Sequence, residues 1–319
     1  LADRVVGLKS FRGDCIVFCR NSIYKFVNME DKANAAIVPI TKNVGCVDGN
    51  SIQEIGGDLV FLSPDGVRTL AGTSRIGDVE LASVSRNVQR LISNIVDNIN
   101  VLTISSVVLR SKSQYRLYYN DPSVAAPFSR GIIGTFTGQG FEWSETLGIE
   151  AIAVDSGFLA NGLEAIVHGD TDGYVYNHDK GITFRHGGAA ANIDALYETP
   201  YLDFGDMGTR KTLQYAKISV TPDRESGGFS DPTLKVQYDF QDVNVQQPPI
   251  YQLPTIRAGS SFGTAFFNAA YFGSTDNPLI RQPIEGSCYT SNFKIASNDQ
   301  EASYTINGIY INYVPAGRR

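Results

Sequence analysis

Apolar residues fall along this chain in short runs, each closed by a turn signal, and four stretches share one layout. Asp14 to Phe26 reads DCIVFCRNSIYKF and Asp58 to Leu70 reads DLVFLSPDGVRTL. Gln114 to Tyr119 reads QYRLYY, with GIIGTF following an NDPS turn, and Glu164 to Tyr176 reads EAIVHGDTDGYVY. In three of the four, an acidic residue precedes the apolar run. A polar turn follows, and then a return strand. CRNS, SPDG and DTDG are turn chemistry, so each stretch is expected as an antiparallel hairpin. The starts at 14, 58, 114 and 164 are spaced by 44, 56 and 50 residues. A loose period of that size is the spacing of β-propeller blades, although no WD or kelch signature accompanies it.

One segment departs from that plan. Ser83 to Asn100 places Val84, Val88, Leu91, Ile92, Ile95 and Ile99 on one helical stripe. A helix is expected over about 83–99, with Ser83 or Ser85 capping its start. It is expected to pack on the side of a blade or to dock on a partner subunit. Beyond it, HGGAAANIDALYETP reads as a connector ending at Pro200. The remainder is β again, with Tyr215, Lys217 and Ser219 alternating against Ala216, Ile218 and Val220. Residues 246–277, rich in Gln, Pro, Gly, Ser and Phe, are expected as a long surface excursion. The expected organisation is all-β: a propeller-like array over 1–187, a connector over 188–199, and a β-sandwich-like domain over 200–319.

Composition supports this reading. Of 319 residues, 42% are hydrophobic, enough for a sizeable core, and only 19% are charged. The 31 Gly, 16 Tyr and 17 Phe suit many short strands. The net charge of −6 argues against a nucleic-acid-binding surface, which is normally basic. It is compatible with a wall that nucleic acid slides past, because acidic surface repels phosphate. No apolar run approaches the roughly 20 residues of a membrane span. The chain opens with Leu and without a signal peptide, so it is expected to be a processed product or part of something longer.

Candidate chemistry is sparse. Cys15, Cys19, Cys46 and Cys288 fit no zinc spacing. In a strand, Cys15 and Cys19 would lie roughly 13 Å apart at about 3.3 Å per residue, too far for a disulfide. They are expected as buried thiols. His168 and His178 bracket GDTDGYVYN, with Asp170, Asp172 and Asp179 close by, while His186 stands apart. A metal loop would need alternating carboxylates that this segment lacks, so Asp and Gly are expected to close a turn instead. Glu142, Glu145 and Asp155 surround the lone Trp143, a pairing that could form a sugar platform or simply a packed aromatic. Arg210-Lys211 is expected as a solvated pair, and no weight rests on Gly317-Arg318-Arg319. No nucleophile elbow, zinc-protease or Walker sequence occurs. No catalytic, metal-binding or cofactor-binding residue is assigned, and no cofactor is expected.

The succession of these pieces resembles a known family. VVGLKSFRGDCIVFCRNSIYKF is followed by GCVDGNSIQEIGGDLVFLSPDGVRTLAG and then by LASVSRNVQRLI. YETPYLDFGDMGTRKTLQYAKISV and LKVQYDF come later. This order is similar to the tail hub and nozzle proteins of short-tailed bacteriophages, also called tail tubular protein B or phage stabilisation protein. The resemblance implies a propeller-containing structural virion protein with no catalytic residues. It implies a six-copy ring below the portal and adaptor that closes the DNA channel and then conducts DNA, with tail fibre proteins as neighbours. Localisation would be the virion tail, assembled in the host cytoplasm. Four units are fewer than a closed propeller usually needs, so further sequence or more diverged blades would complete the ring. The alternative is a propeller enzyme on a tail that degrades host polysaccharide.

Overall fold

The computed structural model describes residues 3–75, 83–121, 130–138, 140–180, 184–222, 229–257, 279–300 and 304–318. The chain divides into two compact units, Leu1–Asp179 and Lys180–Arg319.

The first unit is a series of antiparallel meanders. Sheet 1 holds β1 (Val5–Phe11), β2 (Asp14–Cys19), β3 (Ile23–Val27) and β4 (Ala36–Thr41). Sheet 2 holds β5 (Gln53–Ile55), β6 (Asp58–Ser63) and β7 (Gly66–Thr69). Helices α1 (Leu70–Arg75) and α2 (Gln89–Asp97) follow. Sheet 3 holds β8 (Thr103–Leu109), β9 (Gln114–Asn120), β10 (Arg130–Thr137) and β11 (Gly140–Leu147). Sheet 4 holds β12 (Ala153–Phe158), β13 (Glu164–Gly169) and β14 (Val175–Asn177). In every sheet the strand order follows the chain order. All four expected hairpins are present, as β2–β3, β6–β7, β9–β10 and β13–β14. No closure of the array into a ring is seen among the described residues.

The apolar runs of the inner sheets have a specific cause: their strands are buried on both faces. On β6, Leu59 and Phe61 enter a core with Ile16, Phe18 and Ile23 of sheet 1. Val60 and Leu62, on the opposite face, enter a second core with Ile104, Tyr115 and Leu117 of sheet 3. Strands β8 and β9 repeat the arrangement. Ile104, Val108, Tyr115 and Leu117 face sheet 2, while Val107, Leu109 and Tyr118 meet Ile166 and Ala151 on the sheet 4 side. Alternate side chains of one strand thus serve two cores, which requires an unbroken apolar run rather than a polar alternation. Each fully buried aliphatic or Phe contributes roughly 1.5–3 kcal/mol.

Helix α2 packs its stripe on the sheet 2–sheet 3 core, with Ile92 and Ile95 buried and Val88, Leu91 and Ile99 half-buried. Neither serine caps it. Ser85 Oγ instead accepts the Val67 amide at 2.9 Å, and Ser83 bridges Arg68 of β7. These contacts need a glycine at position 66, where a Cβ would come within 2.3 Å of Ser83 Oγ. Helix α1 was not expected. Its Ala71 amide donates to the Asp58 carboxylate at 3.1 Å, so the acid opening the second hairpin also fastens the segment that leaves it.

The second unit begins with a small hairpin, β15 (Phe184–His186) and β16 (Ala189–Ala191). Its strands then run β17 (Ile193–Glu198), β18 (Thr209–Pro222), β19 (Phe229–Ser230), β20 (Thr233–Tyr238), β21 (Ile250–Gln252) and β22 (Ile256–Arg257). The last four are β23 (Leu279–Pro283), β24 (Ser287–Cys288), β25 (Ser291–Asp299) and β26 (Tyr304–Arg318). One sheet is ordered β17-β25-β20-β21; in the other, β18 pairs with β23, β24 and β26. Leu234, Val236, Phe293 and Ile295 of the first meet Leu213, Ala216, Ile218 and Ile280 of the second across one core. This is the expected sandwich, and β19 pairs β22 beside it.

Two expectations change. Residues 188–199 are no connector: they carry β16 and β17, and β17 pairs β25 across its whole length. The expected surface excursion contains β21 and β22, while 258–277 lie outside the described residues.

Candidate functional site

The polar residues singled out in the sequence gather mainly between sheets 3 and 4. The β13–β14 hairpin brings His168 and His178 together, with Nδ1 of the first 2.5 Å from Nε2 of the second. Tyr176 stacks on His168, with centroids 5.0 Å apart. From sheet 3, Tyr118 directs its hydroxyl to His178 Nδ1 at 3.4 Å, and Arg116 Nη1 lies 3.5 Å from the same atom. Arg116 is buried. It donates to Asp179 Oδ2 at 2.7 Å and to Gln114 Oε1 at 2.7 Å, and Lys112 adds a second ion pair to Asp179 at 3.0 Å.

Electrostatics fix the protonation states. Burial first, then the neighbouring His168 and the Arg116 charge, push His178 down to about 4. His168 is also lowered, by burial, with Asp170 and Glu150 working weakly the other way. Burial acts to raise the Asp179 carboxyl, but Arg116 and Lys112 hold it below the usual aspartate value. At neutral pH the pair is therefore two neutral imidazoles sharing one hydrogen bond beside a charge-neutralised arginine. That arrangement fastens one sheet to the next, with the Tyr118 hydroxyl held against His178.

The DTDG loop is a turn. Asp170 Oδ1 accepts the amides of Asp172 and Tyr174 at 3.0 and 2.8 Å, and Gly173 adopts φ +84°. Asp172 is exposed on that turn. Buried Glu150 accepts the Thr171 hydroxyl and so anchors the loop from the sheet 3 side. Among the described residues no group of three or more His, Cys, Asp or Glu is placed to hold a metal ion. His186 belongs to the second unit, on β15.

The acids around Trp143 do not converge. Trp143 and Glu145 share the face of β11 that looks toward sheet 2, since their partners on β10 are Gly134 and Ile132. Trp143 Nε1–H donates to the Val84 carbonyl at 2.7 Å, and its ring stacks on Phe141. Glu145 sits 3.9 Å from Arg130. Glu142 points to the opposite face of β11. Asp155 lies on β12, in register with Val167 and not with the inward Ile166, so it faces away from sheet 3. Two open hollows lined by described residues lie elsewhere, and neither includes a histidine. One of about 430 Å³ opens beside β17 and β26, and one of about 280 Å³ lies at Glu54, Gly56, Gly57, Arg110 and Ser113.

Several polar roles were not legible in the sequence. Lys211 is not solvated; it is buried and donates to the carbonyls of Asp206 and Tyr289, the latter at 3.0 Å. Arg68 is also buried, with Nε donating to Asp65 Oδ1 at 2.8 Å and Nη2 to Oδ2. Glu164 Oε1 and Oε2 accept the amides of Arg110 and Ser111 at 3.1 and 2.9 Å, tying β13 to the end of β8. The acid-before-run pattern hinted at the last of these. Nothing local marked Lys211, whose acceptors are backbone carbonyls. Cys19, Cys46 and Cys288 are buried and Cys15 is half-buried; all four are free thiols. No helix among the described residues is long and apolar enough to cross a membrane. In comparison with known proteins, no family model and no curated protein matches the chain.

Proposed function

We propose that this chain is a structural subunit of a short-tailed phage tail hub or nozzle, part of a ring that closes and then conducts the DNA channel. The observation that carries the reading is the stack of four antiparallel sheets whose inner members are buried on both faces. Close-packed two-sided burial makes a stiff wall of low compressibility, which a conduit needs. The family resemblance of the motif order supplies the rest. Ring formation by identical copies uses heterologous contacts that close by rotation. Portal, adaptor and tail fibre proteins are the proposed neighbours, and the virion tail is the proposed location.

Charge distribution supports passage of DNA without retention. Residues 1–179 hold 20 Asp and Glu against 15 Lys and Arg, whereas residues 180–319 hold 13 against 12. The acidic excess therefore sits in the sheet array, which we assign to the channel wall. Phosphate is held by lysine and arginine contacts, and an acidic wall offers few. The enzyme alternative needs acids converging on one mouth. Glu145 faces sheet 2, whereas Glu142 and Asp155 lie on faces turned away from it, on two different sheets.

Electron microscopy of intact particles, with an antibody to the chain, tests the reading. Label on the tail below the portal is the expected result. Label confined to the capsid, or a channel lined by net positive charge in the resulting map, overturns it. A purified monomer that depolymerises capsule would transfer the assignment to the enzyme.

A further inference from the structure

Two carboxylates at one corner of sheet 4 are buried without a countercharge. Glu150, on the connection from β11 to β12, is 4% exposed. Asp170 is half-buried where the chain turns from β13 to β14. The Thr171 hydroxyl donates to Glu150 Oε1, which brings that carboxylate against the residue next to Asp170. Asp170 Oδ1 accepts the Asp172 and Tyr174 amides. Each carboxylate thus has one oxygen engaged. The other oxygen of each, Glu150 Oε2 and Asp170 Oδ2, is closed off from solvent and has no hydrogen-bond partner among the described residues. Both carboxylates bear electrostatically on His168, which places them in one neighbourhood. Among the described residues neither forms an ion pair with a lysine or arginine. A carboxylate withdrawn from water is costly unless donors or a cation offset its charge.

We propose that Glu150 Oε2 and Asp170 Oδ2 bind one hard divalent cation, of the magnesium or calcium class. The donors are carboxylate oxygens, which suit hard cations, whereas zinc and copper sites draw on imidazole and thiolate. No third carboxylate, imidazole or thiol converges here among the described residues. Water therefore fills the remaining coordination positions, as it commonly does around magnesium held by one or two carboxylates. Asp170 is only half-buried and the neighbouring Asp172 is exposed, so water has access from the turn. The bound ion offsets two negative charges that the Thr171 hydroxyl and the turn amides satisfy in part. It also ties the β11–β12 connection to the β13–β14 turn, and so fastens the end of sheet 4. The site belongs to the isolated chain and is independent of the phage reading.

The experiment uses the full chain, stripped of metal with a chelator and dialysed, and two variants, Glu150→Gln and Asp170→Asn. Each variant removes one charge and keeps an oxygen for the Thr171 hydroxyl or the turn amides. Isothermal titration calorimetry with magnesium chloride, and separately with calcium chloride, measures binding at a salt concentration that screens surface charge. Hydrogen–deuterium exchange with and without the tighter-binding ion locates it. The unchanged chain is expected to bind one ion, with exchange slowed in the peptides carrying Glu150 and Asp170 and unchanged in the second unit. Each variant should bind about tenfold or more weakly. Thermal unfolding supplies a further readout. Without metal each variant should be at least as stable as the unchanged chain, because it carries one fewer uncompensated charge, and saturating ion should reverse that order. Three results overturn the proposal: an unchanged chain that binds neither ion, exchange protection that falls on other peptides, or variants that bind as the unchanged chain does. Should a variant fail to fold, calorimetry and exchange on the unchanged chain still decide the matter.

Discussion

The two units are both antiparallel β and are assembled on opposite plans. In the first, every strand pairs with its neighbour in the chain, and sheets are added one behind another. In the second, β17 pairs β25 and β18 pairs β26, so strands far apart in sequence close a single two-layer core. The first plan yields several thin cores shared between successive sheets; the second yields one. Sequence-local pairing closes short loops and forms early, whereas pairing across a hundred residues must first close a long loop. The two units should therefore fail separately, and for different reasons.

The largest expected effect tests that independence. Phe61 is fully buried between sheets 1 and 2, its ring tilted against Phe18 with centroids 5.1 Å apart. Phe293 is fully buried in the sandwich. Truncating either to Ala should cost about 3–5 kcal/mol. Trp143 is the only tryptophan and lies in the first unit, so its fluorescence reports that unit alone. Phe61→Ala should lower the denaturant midpoint read by Trp143, and Phe293→Ala should leave it unmoved. Equal shifts of the Trp143 midpoint in both variants would dissolve the contrast between the units.

How much of this was legible in the sequence follows from how local each cause is. The β2–β3 and β6–β7 hairpins were readable because turn residues such as Asp65-Gly66 reverse the chain within two or three residues. The α2 stripe was readable because a helix buries residues at fixed offsets. The sandwich core showed in the alternation of β18. The edges of the second unit did not show. Strand β17 lacks an apolar alternation of its own, since it sits exposed at a sheet edge and is held by β25 far away in the chain. The same holds at the candidate site. Asp170 was legible as a turn residue because its acceptor role is two to four residues away. The His168–His178 contact with Arg116 and Tyr118 was not, because it depends on which sheet stacks on which.

A smaller effect probes packing inside the array. Gly134 on β10 faces Trp143, and a Cβ there would lie 2.8 Å from two indole ring carbons and 2.9 Å from Phe141 Cδ1. Gly134→Ala should cost about 1–3 kcal/mol by overpacking and should change the Trp143 emission in the folded state. Unchanged emission with unchanged stability would mean that this aromatic pair is loosely held.

Acid sharpens the comparison next. His178 and His168 have folded values below the ordinary histidine value, so the unfolded chain binds protons more readily between about 4 and 6.5. Stability from this pair is then fully present above 6.5 and is lost as the pH falls toward 4. The groups facing it, Arg116, Lys112, Asp179, Tyr118, Glu150 and Asp170, all belong to the first unit. The unfolding free energy read by Trp143 should fall on the order of 3 kcal/mol across that window. His178→Gln should flatten the slope. A Trp143 midpoint independent of pH between 4 and 6.5 would remove the histidine pair from the account.

The smallest perturbation leaves stability untouched and still separates the units. Burial pushes the Cys46 thiol up to about 11 and the Cys288 thiol up to about 12. At pH 8 their thiolate fractions are then about one in a thousand and one in ten thousand, and both are sterically closed. Cys15 is half-buried on the outer face of sheet 1. Brief maleimide labelling of the native chain, read by mass spectrometry of peptides, should modify Cys15 first. Cys46 should become reactive only as the first unit opens, and Cys288 only as the second opens. Repeating the labelling in increasing denaturant therefore yields one opening curve for each unit from the same sample. Coincident curves for Cys46 and Cys288 would show one cooperative block, and the contrast between local stacking and long-range closure would then carry no energetic weight.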